Sequence, residues 1–178
     1  GIIERDPDNG DISVRVHPTM VPINHPLASV RDSFNAVFVE GGFVDSLMFY
    51  GRGAGGAPTA SAVFGDVVDA SVNLRAGTHG SLGTLTHATI RPIDETSAEY
   101  LLGLDVADLP GVLHAVTGVF AAHGVSIRVA EQEGNGPDAR LVFITHAARE
   151  SDVQATVREL RDLDVVRSIG GLLRVIGD

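Results

Sequence analysis

Apolar and polar residues alternate from Ile12: Ile12, Val14 and Val16 against Ser13 and Arg15, the two-residue period of a half-buried strand. His17-Pro18 ends the pattern, because proline has no N–H to give a ladder. Two further apolar runs, Phe34 to Glu40 and Val44 to Tyr50, flank Gly41-Gly42 and predict a β-hairpin. After Gly51 to Pro58 the period changes. Ala62, Val63, Asp66, Val67 and Ala70 fall at helical spacing, with Val63 and Val67 on one face, and predict a helix from Thr59 to about Val72. Pro58 suits its first turn, where the missing N–H costs nothing. Residues 73–97 hold Gly77, Gly80 and Gly83 among Thr, Ser and His with little periodicity, which reads as a linker and places a domain boundary.

From residue 98 the elements recur in a recognisable order. Tyr100 to Leu104 is a strand. Leu109, Val112, Leu113, Val116, Val119 and Phe120 make an amphipathic helix that His123-Gly124 closes. Val125, Ile127 and Val129 alternate as a second strand, Gly134 to Asp138 turn the chain, and Leu141 to Thr145 form a third. Ser151 is placed to cap a helix carrying Val153, Val157 and Leu160, and Leu172 to Ile176 complete a fourth strand. The fold class is α+β: a strand-rich segment, then a ferredoxin-like βαββαβ unit of one antiparallel sheet with two helices on one face. The domains expected are 1–72, a linker 73–97, and 98–178.

Composition narrows what such a chain can do. Its 178 residues, 44% apolar, suffice for one ordinary domain or two small ones with a buried core. A formal charge of -10, spread without a run of like charge, argues against nucleic-acid or anionic-membrane partners, which demand a basic face. The absence of cysteine closes disulfide and thiolate chemistry and suits a cytoplasmic protein. No apolar stretch reaches the ~18 residues of a membrane span, and no signal peptide opens the chain. It opens on Gly1-Ile2-Ile3-Glu4 without Met, as an internal fragment does. All 13 basic residues are arginine, so Schiff-base and P-loop lysine chemistry are closed. The seven histidines (17, 25, 79, 87, 114, 123 and 146) include no i,i+4 pair, and surface or capping roles are expected of them rather than metal ligation.

Gly51-Arg52-Gly53-Ala54-Gly55-Gly56 matches G-x-G-x-x-G after an apolar strand and before a helix. A Rossmann reading needs a second parallel strand ending in an acidic residue beyond that helix, and the glycine-rich stretch stands there instead. The loop physics still allows backbone N–H groups to approach a ligand. A turn that merely joins strand to helix is an equal alternative. Arg52 is open in the same way, between neutralising a phosphate and a solvated turn.

Val16-His17-Pro18-Thr19, Pro22, His25-Pro26-Leu27, Asn35-Ala36-Val37 and the run from Met48 to Val63 together resemble the ACT-bearing homoserine dehydrogenases. Asp108-Leu109-Pro110-Gly111-Val112-Leu113 and His123-Gly124-Val125-Ser126-Ile127 resemble the ACT signature. The resemblance implies the strand-rich end of the catalytic and dimerisation region, with its helix returning to the nucleotide-binding domain, followed by an ACT regulatory domain. It implies an oxidoreductase that interconverts aspartate semialdehyde and homoserine with NADPH or NADH, on the route to threonine, methionine and isoleucine. Gly51, Gly53, Ala54 and Gly55 match the loop that closes against the cofactor. The strands within residues 12–50, and ACT–ACT pairing, would build a homo-oligomer, a dimer or tetramer.

The family's N-terminal nucleotide fingerprint and its catalytic lysine and aspartate have no counterpart here. No catalytic residue is assigned, no tightly bound cofactor is expected, and these 178 residues alone are expected to be inactive. For the ACT part the resemblance implies an amino-acid effector, with threonine first, at Asp108, Gly111, Val112, Leu113 and Ser126. Asp108 would accept from its ammonium, and N–H groups near Gly111 would receive its carboxylate. Alternatives stay open: Asp108 as a helix cap, and Gly111 for close packing. A stand-alone ACT-type sensor without catalysis is the second reading of the whole chain, and a purely structural dimerisation piece the third.

Overall fold

A computed structural model describes residues 1–80, 83–134 and 137–177. The chain forms two units, one of residues 1–22 with 88–178 and one of residues 23–87. The second unit is thus inserted into the first. This differs from a division at 73–97, because the N-terminal strands pack with the C-terminal half. Part of the expected linker is structured as well. The remainder includes residues 81 and 82, which lie outside the described residues.

Unit 1 is built on a five-strand path. Strand β6 (Ser97–Ala107) leads to helix α2 (Val112–Ala122), then β7 (Ile127–Glu133), β8 (Asp138–Thr145), the short β9 (Ala148–Arg149), helix α3 (Glu150–Arg161) and β10 (Val166–Val175). The order β10-β6-β8-β7 is antiparallel throughout, as the βαββαβ pattern predicts. Alternation places Tyr100, Leu102, Leu104 and Val106 of β6 and Leu141 and Phe143 of β8 in one core with Val116 and Phe120 of α2 and Val153, Val157 and Leu160 of α3. The Phe120 and Phe143 rings meet at 5.1 Å. Leu109 and Leu113, expected on the buried face of α2, are exposed instead: Leu109 precedes the helix and Leu113 lies outside its apolar stripe. Helix α3 begins at Glu150, so Ser151 sits inside the first turn. Its hydroxyl bonds Asp152 rather than capping the helix, which corrects that expectation. The expected turn at Gly134 to Asp138 includes residues 135 and 136, outside the described residues.

The N-terminal strands β1 (Ile2–Arg5) and β2 (Ile12–Arg15) pair with each other, and β3 (Thr19–Met20) joins β10 in parallel. Bidentate Arg15–Glu4 bonds, at 2.7 and 2.9 Å, fasten the first pair. The returning chain is tied at Ile12, whose N–H donates to Thr89 at 2.9 Å and whose carbonyl accepts from Arg91 at 2.9 Å, and by an ion pair of Arg91 with Asp6.

In unit 2, β4 (Phe34–Gly41) and β5 (Asp45–Arg52) form the predicted hairpin, and helix α1 spans Gly56–Ala76, longer at both ends than its periodicity suggests. Val63, Phe64, Val67, Val68 and Val72 of α1 are exposed, as are Val37, Val39, Leu47 and Phe49 on one face of the hairpin. A two-stranded sheet with an uncovered apolar face is marginal by itself. Although α1 has 21 residues, no described helix is long and apolar enough to cross a membrane.

Candidate functional site

The glycine loop joins β5 to α1. Gly51 and Arg52 are the last residues of the strand, Gly53, Ala54 and Gly55 cross over, and the helix starts at Gly56. Gly55 lies at φ 119°, ψ 153°, a region that an L side chain rarely adopts, and it heads the helix without a side-chain cap. A Cβ at Gly51 or Gly56 would meet nothing within 4 Å, so the loop presents open backbone there. Gly53 is different. A Cβ built on it would stand 1.6 Å from Asn35 Nδ2, because the Asn35 side chain, across the hairpin from Gly51, occupies that space.

Arg52 points to the opposite strand face. Its guanidinium lies 4.6 Å from the Phe34 ring centroid and donates to Ser33 Oγ at 3.3 Å, while Phe34 stacks on Tyr50 at 4.8 Å. Since β5 is antiparallel to β4 and, among the described residues, no strand after α1 pairs in parallel with β5, the Rossmann unit is not built. The cradle here is backbone plus a carboxamide, with open space at Gly51 and Gly56, donors and acceptors of the kind a dinucleotide needs.

The second candidate region follows β6. Asp108 is exposed, its N–H donates to the Pro137 carbonyl at 2.9 Å, and its carboxylate accepts from Gln132 Nε2 of β7 at 3.4 Å. The helix N-cap is Gly111, three residues on, with no side-chain cap bond, so Asp108 does not cap α2. Gly111 stands at φ 92° with nothing within 4 Å of an added Cβ; left-handed backbone, not close packing, calls for glycine there. Val112 is buried in the core and its N–H is spent on the Leu109 carbonyl at 3.3 Å, so, against expectation, it presents neither side chain nor N–H to a ligand. Leu113 is 45% exposed beside it. The first turn of α2 therefore offers N–H groups that no side chain caps, beside an exposed carboxylate.

Ser126 is elsewhere. It is exposed at the lead-in to β7, whose Ile127 pairs with Thr145, whereas the Asp108 end of the sheet is set by Ala107 opposite Asp138 and Glu133 opposite Arg140. The length of a seven-residue strand, roughly 20 Å, separates Ser126 from the loop in one copy of the chain. β7 is also an outer strand of its sheet, with one edge unpaired among the described residues.

One cluster is absent from the sequence reading. Glu150 is buried at the start of α3. Its Oε2 accepts from Tyr100 Oη at 2.7 Å and from Arg174 Nε at 2.9 Å, and its Oε1 from Gln154 at 2.8 Å. Burial works to raise the Glu150 carboxyl, but the bonds from Tyr100, Gln154 and Arg174 outweigh it and leave the group below its ordinary value. Burial, aided by the bond to Glu150, pushes the Tyr100 hydroxyl far up. The available signal was Arg174, an arginine at a strand position that alternation assigns to the core, opposite Tyr100. Among the described residues, no group of three or more His, Asp or Glu is arranged to hold a metal.

Residues 2–68 match the homoserine dehydrogenase family model, and residues 100–165 match the ACT domain model. The homoserine dehydrogenase of Corynebacterium glutamicum is 48% identical over 168 residues, covering 94% of this chain and 38% of that protein. That of Bacillus subtilis is 36% identical, covering 100% of this chain and 42% of its own length. The crystal structure of a homoserine dehydrogenase from Thiobacillus denitrificans superposes with a TM-score of 0.88 at 31% identity, over 98% of this chain and 41% of the other. The chain spans about two fifths of the length of the curated relatives it matches.

Proposed function

We propose, for a chain that belongs to the homoserine dehydrogenase family of oxidoreductases and carries its ACT domain, that these residues serve an enzyme interconverting aspartate semialdehyde and homoserine. In this reading the nicotinamide cofactor, NADP or NAD, supplies and accepts the hydride. The chain's own part is to close the Gly51, Gly53, Ala54 and Gly55 loop against that cofactor, to contribute oligomer contacts, and to sense an amino acid. A cytoplasmic location belongs to the same reading.

No dehydrogenase activity is expected of these 178 residues alone. Delivering a proton to a forming alkoxide while cofactor and aldehyde are held in contact needs acid–base groups that this loop does not carry. Homoserine-dependent reduction of NADP by the purified chain would overturn this.

The observation that carries the sensing role is the uncapped first turn of α2 beside the exposed Asp108 carboxylate. An α-amino acid has the complementary ends. Its carboxylate suits the helix N-terminus, and its ammonium suits Asp108. Threonine is the effector proposed. Ser126 enters from a second copy: if two β7 edges pair antiparallel about a twofold, the start of one strand lies beside the end of the other. That contact, with Val39 and Leu47 on the part of the apolar hairpin face farther from the glycine loop, supports a homodimer or tetramer. Strand β2 is not part of that hairpin and pairs within unit 1.

Calorimetric titration with threonine, with serine, methionine and isoleucine as comparisons, tests the reading. Saturable threonine binding that Asp108→Ala weakens about tenfold or more is expected, the loss of one charge-assisted bond. Binding unchanged in the variant would remove Asp108 from the site. A stand-alone amino-acid sensor is the second reading. The family match across residues 2–68 and the likeness to one dehydrogenase over 98% of the chain favour the first.

A further inference from the structure

We infer that Asn35 is a cofactor-positioning residue of the glycine loop, its carboxamide pairing with the carboxamide of the nicotinamide ring; this rests on the reading that the loop faces the cofactor. The structure places the Asn35 amide where a side chain at position 53 would be, with Nδ2 1.6 Å and Cγ 2.9 Å from that Cβ position. The glycine at 53 therefore makes room for a specific polar group as well as for backbone. That group does no visible structural work. Asn35 is exposed, and its carboxamide has no hydrogen-bond partner among the described residues. A carboxamide carries a donor and an acceptor side by side, so it is self-complementary to a primary carboxamide through two N–H···O bonds.

The surroundings select a neutral, ring-bearing group over a carboxylate. Arg52, the one cation between Gly51 and Pro58, lies on the other strand face, over Phe34 and bonded to Ser33. On the Asn35 face, strand alternation brings Val37 and its cross-strand partner Phe49 next along the hairpin, both exposed. Flat apolar surface followed by a carboxamide matches the outline of nicotinamide: a ring with the amide at one edge. An amino-acid substrate would ask for a cation at the same place, and this face presents none between Gly51 and Pro58.

The test uses the full-length dehydrogenase that contains these residues and reads binding by calorimetry. The ligands are NADP, its 3-acetylpyridine analogue, which keeps the carbonyl and lacks the amide N–H₂, and homoserine. The unaltered enzyme is expected to bind NADP about tenfold more tightly than the analogue, the worth of one buried hydrogen bond. In Asn35→Ala that preference should collapse toward unity, NADP affinity should fall about tenfold or more, and homoserine binding should hold. Asn35→Asp, which keeps the size of the side chain and removes the donor, should likewise lose the preference.

A second substitution separates chemistry from packing. In Asn35→Ala the nearest remaining atom of residue 35 is its Cβ, 3.7 Å from a Cβ at position 53, so Gly53→Ala becomes sterically tolerable in that background. The double variant should still bind NADP weakly, because the amide is gone. Full NADP affinity in Asn35→Ala, with Gly55→Ala weakening the cofactor, would overturn the inference and leave the loop reading standing. Full affinity in both variants would remove the loop from the cofactor site and the inference with it. Loss of homoserine binding in place of NADP would assign the amide to the substrate and also overturn it.

Discussion

Replacing Glu150 with alanine is expected to destabilise the ACT unit by about 3–5 kcal/mol, the usual result of removing one partner from a buried ion pair. The alanine would leave the Arg174 guanidinium and the Tyr100 hydroxyl without their shared acceptor, and Gln154 without its partner at 2.8 Å. All three sit against the β6–β10 pairing, where Tyr100 lies opposite Arg174. For a unit of this size the melting temperature should drop by on the order of 10–20 °C. Glu150→Gln, which keeps the shape and one acceptor but not the charge, should lose less.

The pH dependence has a definite sign. Glu150 is held below its ordinary value of 4.5 in the fold, so its contribution is present above that value and lost as the pH falls through the folded one. The gap in stability between the unaltered chain and Glu150→Gln should therefore close as the pH falls below 4.5. Tyr100 acts at the other end. Its hydroxyl is raised in the fold above its ordinary value of 10.0, so stability should decline as the pH rises above 10.0, where only the unfolded tyrosine ionises. Thermal melts from pH 3 to 11 read both limbs, and an alanine variant melting within about 1 kcal/mol of the parent would show the cluster to be ornamental.

If the proposed threonine site is shared between two copies, mixing two defective variants should restore binding. Asp108→Ala and Ser126→Ala each damage both sites of a homodimer if every site takes Asp108 from one copy and Ser126 from the other. A mixed dimer then carries one site with both residues intact and one with neither. Calorimetry on the two variants unfolded together and refolded should recover an intact-affinity site that neither shows alone. If the two residues met within one copy, mixing would recover nothing. The strand length between them already argues against that, since Ser126 and Asp108 stand at opposite ends of β7.

The elements that were legible in the sequence are those whose apolar period outruns local chemistry. The hairpin, α2 and the βαββαβ order each repeat their pattern over several turns or residue pairs, so burial on one face fixes them. Strand β1 was not legible, because Ile2-Ile3-Glu4-Arg5 does not alternate and its pairing depends on Arg15 reaching Glu4. Two-residue β3 has no period to read, and its partner Arg174 is remote in the chain. In the candidate sites, glycine positions and the Asp108 loop could be named from residue type. That Asn35 fills the space over Gly53, or that Ser126 lies far from Asp108, follows from register, and register is a property of paired strands rather than of either strand's sequence.

The insertion of residues 23–87 between the two parts of unit 1 also sets an order of assembly on the ribosome. The β4–β5 hairpin pairs only within residues 34–52, so both of its strands are available soon after the first emerges. Strand β3 emerges before them yet must wait for Arg174 and Val175, its partners in β10, to be synthesised. Meanwhile its edge and the apolar residues beside it are open to chaperones or to a neighbouring nascent chain. Closure of the sheet at β3 is therefore a late event in the folding of these residues, and a ribosome stalled before β10 would display β3 without its partner.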